Sequence, residues 1–214
     1  LASSEQVWHW RGLDAKGQVL ELRDIALLDL PMENAALAVQ AYALSGLPWE
    51  PARIISALKG TRVTGRLDRR SFSWKGKTLN VLLDVGHNPH AAHYLVQRLA
   101  QRPIAGKRFA VFGLLADKDL DGVVSQFTAP IEHWAVAPLD TSRTRPVTHV
   151  QAALQRHGAS VTAHDSVIAA LQAQCERASP ADEILLFGSF YCVAEALEWL
   201  ERHATQEAAH GFAG

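Results

Sequence analysis

Hydrophobic and polar positions alternate from about residue 70 onward in a strand–helix pattern, with short apolar runs separated by amphipathic segments. A hairpin is predicted in which a strand at 71–74 turns through residues 75–77 into the strand at 79–84. The predicted strands are 79–84, 108–113, 132–137, 160–163 and 183–187, and the predicted helices are 90–101, 119–128, 146–157, 165–178 and 190–203. Because strands that alternate with helices form βαβ units, the pattern predicts an α/β fold, Rossmann-like, with a mainly parallel sheet and helices on both faces. The polar, Ala-rich tail after residue 203 is expected to fray.

Residues 1–69 follow a different pattern. A hairpin is predicted within 7–23, a helix from Pro31 to about Gly46, and a second helix from Pro48 to Lys59. Neither helix is followed by a strand of its own, so this part is too short for a complete α/β domain. We place a domain boundary near residue 69, giving domains 1–69 and 70–214.

The stretch from Leu82 to Ala92 combines a strand end with a helix start. An apolar strand ends on Asp84, a glycine turn carries His87, and Asn88 precedes Pro89. Asparagine is a good N-cap residue, and proline suits the first helical turn because its missing N–H costs nothing there. The pattern therefore places one acid and one imidazole at the carboxyl end of a strand, where open α/β sheets bind ligands.

Each candidate residue at these strand ends has two interpretations. Asp84 could accept hydrogen bonds from a ribose or cap its own loop. His87 could contact a phosphate, carry a proton or face solvent. Lys118, between two aspartates, could hold a phosphate or an amino-acid zwitterion, or belong to a solvated charge cluster. Ser189 could help to bind an anion with its backbone N–H and hydroxyl, or serve as a plain N-cap.

Several classes of site and partner are disfavoured. No strand is followed by a dinucleotide-binding glycine motif, and neither a P-loop nor a nucleophile elbow is found in the sequence. His87 and His90 have no acidic or cysteine partners at ligand spacing, so we reject a zinc site. A net charge of -1 gives no case for nucleic acid or an acidic membrane as partner.

The composition fits a globular protein with a real core, since 48% of residues are hydrophobic and 20% are charged. Cys175 and Cys192 show no pairing motif, which favours a reducing cytoplasm. No apolar run is long enough to cross a bilayer. The first residues lack an initiator Met and the features of a signal peptide, so we expect a fragment or a processed product.

Five motifs in this order resemble the folylpolyglutamate synthase/dihydrofolate synthase branch of the Mur ligase superfamily. They are Pro31-Met32-Glu33-Asn34-Ala35-Ala36, Gly65-Arg66-Leu67-Asp68, Asp84-Val85-Gly86-His87-Asn88-Pro89-His90-Ala91-Ala92, Ala116-Asp117-Lys118-Asp119 and Gly188-Ser189-Phe190. The third motif is the most specific, and the resemblance runs from about residue 25 to 203.

The resemblance implies an architecture and a reaction. Residues 1–69 would be the hairpin-and-helix tail of a P-loop ATPase domain, and 70–214 the complete Mur ligase C-terminal domain. The reaction would be ATP-dependent, ADP-forming ligation of L-glutamate to dihydropteroate or folates through an acyl phosphate, with ATP in the cleft between the domains. Mg²⁺ would be held by residues upstream of this chain, so no metal ligand is expected here. We expect a cytoplasmic monomer.

The resemblance also assigns roles to single residues. ATP would be bound by Asn34 near the adenine, Arg66 at the phosphates and Asp84 at the ribose. His87 would face the reaction centre as the catalytic residue. L-Glutamate would be bound by Ser189 and Lys118. Two departures stand out: Gly86 replaces a more frequent alanine, and Tyr191 stands where related sequences often carry histidine.

Two other functions stay open at this point. The chain could be a stand-alone α/β nucleotide- or amino-acid-binding module, or part of a different Mur-type amide ligase. Since the P-loop is missing, we expect the chain alone to be inactive. The sequence leaves open whether dihydropteroate and folates are both substrates, and how long a glutamate chain is made.

Overall fold

The structure is a computed structural model that describes residues 7–28, 30–127 and 131–210, with side chains up to residue 202. It divides into two compact units, with the division between Val63 and Thr64. This lies before the boundary expected near residue 69. The difference arises because residues 64–68 bond to the second unit, where the Val85 N–H donates to the Gly65 carbonyl over 2.8 Å.

The first unit contains a hairpin and two helices, as predicted. Strands β1 (Val7–Leu13) and β2 (Val19–Ala26) pair antiparallel, and helices α1 (Met32–Leu44) and α2 (Pro51–Gly60) follow. Its core consists of the buried side chains of Trp10, Leu22, Ile25, Val39 and Ala43. Apolar residues of both strands and of one side of α1 therefore produce a small core of its own.

The second unit is built on a six-stranded sheet in the order β3-β4-β8-β5-β6-β7. The strands are β3 (Asp68–Trp74), β4 (Lys77–Asp84), β5 (Arg108–Phe112), β6 (His133–Val136), β7 (Val161–Ala163) and β8 (Glu183–Phe187). Only β3 pairs antiparallel, with β4. All other pairs are parallel. The predicted mainly parallel sheet is confirmed.

Helices cover both faces of this sheet. They are α3 (Pro89–Gln101), α4 (Leu120–Val124), α5 (Val147–Arg156), α6 (Val167–Arg177) and α7 (Phe190–His210). Alternate positions of a strand point to opposite faces, so Leu83 joins the core under α6 and α7 while Leu82 joins the core under α3, α4 and α5. This explains why the central strands are apolar throughout rather than alternating.

Two helices differ in length from the prediction. Helix α4 ends at Val124, although the pattern predicted 119–128; Asp119 is its N-cap, and residue 128 lies outside the described residues. Helix α7 continues to His210, so the tail after residue 203 adds a further stretch of helix instead of fraying. The reason is its composition, since alanine, glutamate and glutamine are strong helix formers.

The connections place β8 at a switch in topology. The loop after β8 leads to α7 on one face of the sheet, whereas the loops after its neighbours β4 and β5 lead to α3 and α4 on the other. Loops that part to opposite faces leave a crevice at the carboxyl edge, where α/β proteins bind ligands. Among the described residues, no helix is both long enough and apolar enough to span a membrane.

Candidate functional site

The carboxyl edge of the sheet collects five of the six predicted site residues, because the loop that carries Arg66 leads into β3 next to the end of β4. In the parallel register, Asp84 lies opposite Phe187 of β8, and Phe112 of β5 lies on the other side of Phe187. The loops that begin there carry His87, Ser189 and Lys118. The parallel sheet therefore brings onto one edge residues that lie far apart in the sequence.

Asp84 uses its carboxylate to join two loops. Its Oδ1 accepts the Gly86 N–H over 2.7 Å, and its Oδ2 accepts the Leu67 N–H over 3.0 Å. Only 6% of the residue is exposed. Burial raises the pKa of this carboxyl, against the two N–H donors and Arg66, which favour the charged form. The contacts are those of a loop-capping carboxylate, and a ribose contact stays a prediction.

The loop before β3 holds Arg66 beside an aromatic ring. Gly65 has φ +71° and Leu67 has φ +44°, so the backbone turns through the left-handed region on either side of Arg66. The Arg66 guanidinium lies 5.9 Å from the centroid of the Phe190 ring, within the range of a cation–π contact. Since Asp84 and Val85 bond to Leu67 and Gly65, β4 fixes the position of this arginine.

His87 is half-buried on the turn after β4. Its Nδ1 lies 2.9 Å from the Val85 carbonyl oxygen, which can only accept, so Nδ1 carries a proton and Nε2 holds the lone pair of the neutral ring. The ring lies 6.2 Å from that of Phe190. The helix that follows begins as predicted, with the Asn88 side chain accepting the Ala91 N–H. The hydrogen bond from Nδ1 to the Val85 carbonyl therefore holds one tautomer of His87 in place.

Ser189 is buried, and its Oγ accepts the Cys192 N–H over 3.1 Å. This is the contact of an N-cap, the second of the two interpretations made from the sequence. Gly188 before it has φ +111°, and a Cβ there would lie 2.5 Å from the Gly113 carbonyl oxygen. Only glycine fits where the loop after β8 passes the loop after β5.

Lys118 belongs to a cluster of charges that the sequence only partly indicated. Its Nζ lies 2.8 Å from Oδ2 of Asp117, and Arg143 Nη2 donates to Oδ1 of the same carboxylate over 3.0 Å. The hydrogen bonds from Lys118 and Arg143 lower the pKa of Asp117 to about 2. Arg143 lies on the loop after β6 and was missed. The signal that could have found it is a pair of arginines, with Arg145, following the carboxyl end of a strand.

Phe190 belongs to the fifth motif, but the sequence assigned no role to it. Its side chain is 60% exposed, although it is large and apolar, and it packs against both Arg66 and His87. An exposed aromatic ring held between two cationic or titratable groups at a ligand-binding edge can contact a bound substrate. The sequence signal that could have indicated Phe190 is its position directly after Ser189, at the same strand end.

Asn34 lies in the first unit, in the first turn of α1, where its side chain is exposed. Its backbone N–H donates to the Pro31 carbonyl over 3.1 Å. In the described part of the chain, no group of three or more His, Cys, Asp or Glu side chains could hold a metal ion.

Neither cysteine offers a reactive thiol to this edge. Cys175 and Cys192 are buried and free. Burial raises the pKa of Cys175 to about 12 and raises that of Cys192 as well, so both thiols stay protonated and unreactive.

Comparison with known families gives a match over most of the second unit. Residues 65–190 match the family described as Mur ligase, glutamate ligase domain. This range contains Arg66, Asp84, His87, Lys118 and Ser189.

Curated relatives agree with this match. A dihydrofolate synthase/folylpolyglutamate synthase from Escherichia coli strain K12 is 32% identical over 192 residues, which are 90% of this chain and 43% of that protein. One from Buchnera aphidicola subsp. Schizaphis graminum is 30% identical over 186 residues, with 87% and 43% covered. The chain thus spans less than half the length of the relatives it matches.

Solved structures show the same fold. Escherichia coli FolC in complex with DHPP and ADP matches with a TM-score of 0.77 and 31% identity, covering 94% of this chain and 45% of that one. A bifunctional folylpolyglutamate synthase/dihydrofolate synthase with Mn, AMPPNP and L-glutamate bound matches with a TM-score of 0.76 and 32% identity, covering 92% and 45%.

Proposed function

This chain belongs to the Mur ligase family, and we propose that it forms the glutamate ligase part of an enzyme that joins L-glutamate to dihydropteroate or to folyl-glutamates. The observation that supports this most is the carboxyl edge of the sheet. There Arg66, His87, Lys118 and Ser189 occupy the loops at a topological switch point, within the segment that matches the family.

The proposed reaction has two steps. A carboxylate oxygen of the pteroate or folate substrate attacks the γ-phosphorus of ATP, which releases ADP and leaves an acyl phosphate. The amino nitrogen of L-glutamate then attacks the acyl carbon, and inorganic phosphate leaves as the amide forms. Both steps gather negative charge in a small volume, so catalysis depends on positioning and on fixed positive groups.

The residues of this chain supply those groups. We assign Arg66 to the nucleotide phosphates, where a guanidinium can bind two oxygens at once. Asp84 would contact the ribose while it holds the Arg66 loop, and Asn34 would lie near the adenine. His87 would face the acyl phosphate, with Nε2 as the nitrogen available to a substrate because Nδ1 bonds to Val85.

L-Glutamate would be bound by Lys118 and Ser189. A structure with L-glutamate bound is among the similar folds, which supports an amino-acid site in this family. We propose that Mg²⁺ accompanies ATP and that residues of the ATPase domain hold it, as the resemblance implies; a similar structure binds Mn with AMPPNP. We also propose a cytoplasmic monomer, in agreement with two buried, unpaired thiols.

The test is release of ADP by the full-length protein with dihydropteroate or a folate, with and without L-glutamate. We expect ADP release that depends on L-glutamate, and a drop in kcat of about 100-fold for His87→Ala. His90→Ala is the matched control, because His90 is an exposed histidine in the first turn of α3. This variant should leave kcat unchanged.

Two results would contradict the proposal. No glutamate-dependent ADP release with any pteroate or folate would favour a stand-alone binding module, and ADP release with a cell-wall precursor instead would favour another Mur-type ligase. We expect the purified 214-residue chain alone to release no ADP, because it contains no P-loop. Release of ADP by that chain alone would contradict this part of the proposal.

A further inference from the structure

Helix α7 begins at Phe190, in a closely fixed place at the carboxyl edge. Gly188, two residues before it, has φ +111°. Ser189 caps the helix, because its Oγ accepts the Cys192 N–H over 3.1 Å and its carbonyl oxygen accepts the Val193 N–H over 3.3 Å. The backbone of Phe190 therefore has little freedom, and the first turn of α7 sets the direction in which its side chain leaves the helix.

The loop that carries Arg66 packs directly against this first turn. A Cβ on Gly65 would lie 3.0 Å from Cγ1 of Val85 and 3.1 Å from Cγ1 of Val193, so glycine lets the loop come this close. The loop also closes on itself, because the Gly65 N–H donates to Oδ2 of Asp68 over 3.2 Å. The backbone of Arg66 is thus held against β4 and α7 together.

The side chain of Arg66 is held by an aromatic ring and not by an acceptor. Its guanidinium lies 5.9 Å from the centroid of the Phe190 ring. Within the residues that the structure describes, it has neither a hydrogen bond nor an ion pair. By contrast, Arg70 donates to both carboxylate oxygens of Asp68. Because a ring attracts the charge through its face, the N–H donors of Arg66 stay available to an incoming anion.

The Phe190 ring is exposed, although its neighbours on α7 are buried. Its exposed fraction is 60%, whereas Cys192, Val193 and Ala196 belong to the core. A phenylalanine stabilises a fold mainly through the apolar surface that it buries, so this ring adds little to the core. The ring also lies 6.2 Å from the ring of His87. Its contacts are therefore with residues of the candidate site.

Such a contact can improve the binding of a ligand that the ring never touches. Arginine is among the side chains that lose the most conformational entropy when a ligand fixes them. A ring that already restricts the guanidinium in the empty site reduces this cost, and the ligand binds more tightly without an added contact. At an exposed site, a cation–π contact is worth a factor of about two to five in an equilibrium constant.

We propose that Phe190 is a positioning residue for Arg66, and that its ring restricts the guanidinium in the empty site to the orientation from which it binds the nucleotide phosphates. This rests on the proposed function, which assigns Arg66 to those phosphates, and extends it to an aromatic side chain that acts only through the arginine. The helix start that carries Ser189 thereby also orients a residue at the nucleotide.

The first experiment measures the dissociation constant of AMPPNP for the full-length protein. For Phe190→Leu, which keeps an apolar side chain but removes the ring, we expect binding about two- to fivefold weaker. Phe190→Tyr keeps the ring face and should bind AMPPNP as the wild type does. Lys75→Gln is the matched control, because it removes a cation–π contact of similar length, 5.4 Å to the Trp74 ring, at the turn between β3 and β4. It should leave the dissociation constant unchanged.

A double-mutant cycle tests whether the ring acts through Arg66. Arg66→Gln should weaken AMPPNP binding by more than Phe190→Leu does, because it removes the phosphate contact itself. In the Arg66→Gln background, Phe190→Leu should then have no further effect. Full additivity, or a Phe190→Leu variant that binds like the wild type, would overturn the positioning role and leave Arg66 at the phosphates. No effect of Arg66→Gln would overturn the assignment of Arg66 in the proposed function, and this inference with it.

A measurement without nucleotide observes the contact itself. The Nε–H signal of Arg66 is recorded by NMR in the 214-residue chain. Because an aromatic ring shifts the signals of nearby protons, this signal should move in Phe190→Leu and stay close to its wild-type position in Phe190→Tyr. Urea denaturation should give both variants the wild-type midpoint, since the ring is exposed, and this excludes a general loss of fold. An Arg66 signal that is the same in Phe190→Leu and the wild type would contradict the proposal, whatever the activity of the full-length protein.

Discussion

The two edges of the six-stranded sheet use the same kinds of charged residues in opposite ways. At the amino edge, Glu183 accepts Arg108 Nε over 2.9 Å and lies 3.6 Å from Arg69 Nε, with its side chain 8% exposed. At the carboxyl edge, Asp117 also holds two cations, yet it is 47% exposed. One carboxylate joins β8 to its neighbours, and the other lies open to solvent.

The two acids therefore differ in burial although each holds two cations. A buried ion pair cannot be broken without leaving a charge out of water, which makes Glu183 part of the framework. An exposed pair can exchange partners at little cost. Asp84 stands between these cases, because it lies at the carboxyl edge but is buried with backbone donors.

The largest expected effect is at the amino edge. Glu183→Gln leaves the Arg108 guanidinium, 14% exposed, without its counter-charge, and should lower the free energy of unfolding by about 3 kcal/mol. Urea denaturation of the chain measures this. Glu132→Gln, which removes the exposed partner of Lys107, is the control and should cause no measurable change. Equal effects of the two variants would contradict the role of burial.

A smaller loss is expected at Asp84. Asp84→Ala leaves the Leu67 and Gly86 N–H groups without acceptors in a buried place, which should cost about 2 kcal/mol. Faster amide hydrogen exchange at both positions would identify the cause. Asp14→Ala is the control, because Asp14 also accepts two backbone N–H groups but in an exposed turn, where water can replace it. A larger loss at Asp14 would refute this account.

Buried and exposed imidazoles extend the comparison to pH. His133 is buried; its Nδ1 accepts from Gln174 over 3.2 Å, and its Nε2 lies 2.9 Å from the Thr162 hydroxyl. Desolvation, with Arg177 and His164 nearby, lowers its pKa. The unfolded chain, with a pKa near 6.5, therefore binds a proton first as the pH falls. Stability should be full above about pH 6.5 and decrease as the pH drops toward the folded pKa.

Two measurements check this pH dependence. An NMR titration of the folded chain should give His133 a midpoint below the usual histidine range. His133→Asn should weaken the loss of stability between neutral and mildly acidic pH, whereas His149→Gln, at an exposed position of α5, should leave it as in the wild type. A His133 midpoint above the usual range would contradict the prediction.

The smallest effect is expected at the carboxyl edge. Asp117→Ala breaks two ion pairs, yet it should leave the unfolding midpoint unchanged, because both cations regain water. A clear loss of stability would show that the ion pairs of Asp117 stabilise the fold. It would also remove the contrast between the two edges.

Much of the fold follows from local patterns. The strand end at Asp84 was predicted to the residue, and the helix that begins at Pro89 was predicted from residue 90, because a buried strand and an Asn-Pro helix start each have a strong local signal. Helix α4 was predicted too long, since its apolar residues suit either a helix or an irregular segment. The length of α7 was underestimated because a polar, Ala-rich segment was taken for a frayed end.

The sequence predicted those residues of the candidate site that directly follow a strand. His87, Ser189 and Lys118 each follow an apolar run, so their shared edge follows from a parallel sheet. The contact of Arg143 with Asp117 could not be predicted in this way, because the two residues are 26 apart in the chain and their contact depends on how two loops bridge. The structure was also needed to identify the capping contacts of Asp84 and Ser189, because these depend on the positions of the N–H groups that each side chain accepts.

By itself, the sequence determined the element order, the parallel sheet and the edge at which ligands would bind, because these depend on periodicity and on residues adjacent in the chain. The tertiary structure decided which charges are buried and which are open. Glu183 follows another acid and Asp117 precedes a lysine, and neither neighbour indicates how deeply each carboxylate is buried. Only the packing of distant strands and loops fixes the distance of each carboxylate from water, and that distance determines whether it stabilises the fold or is available to a ligand.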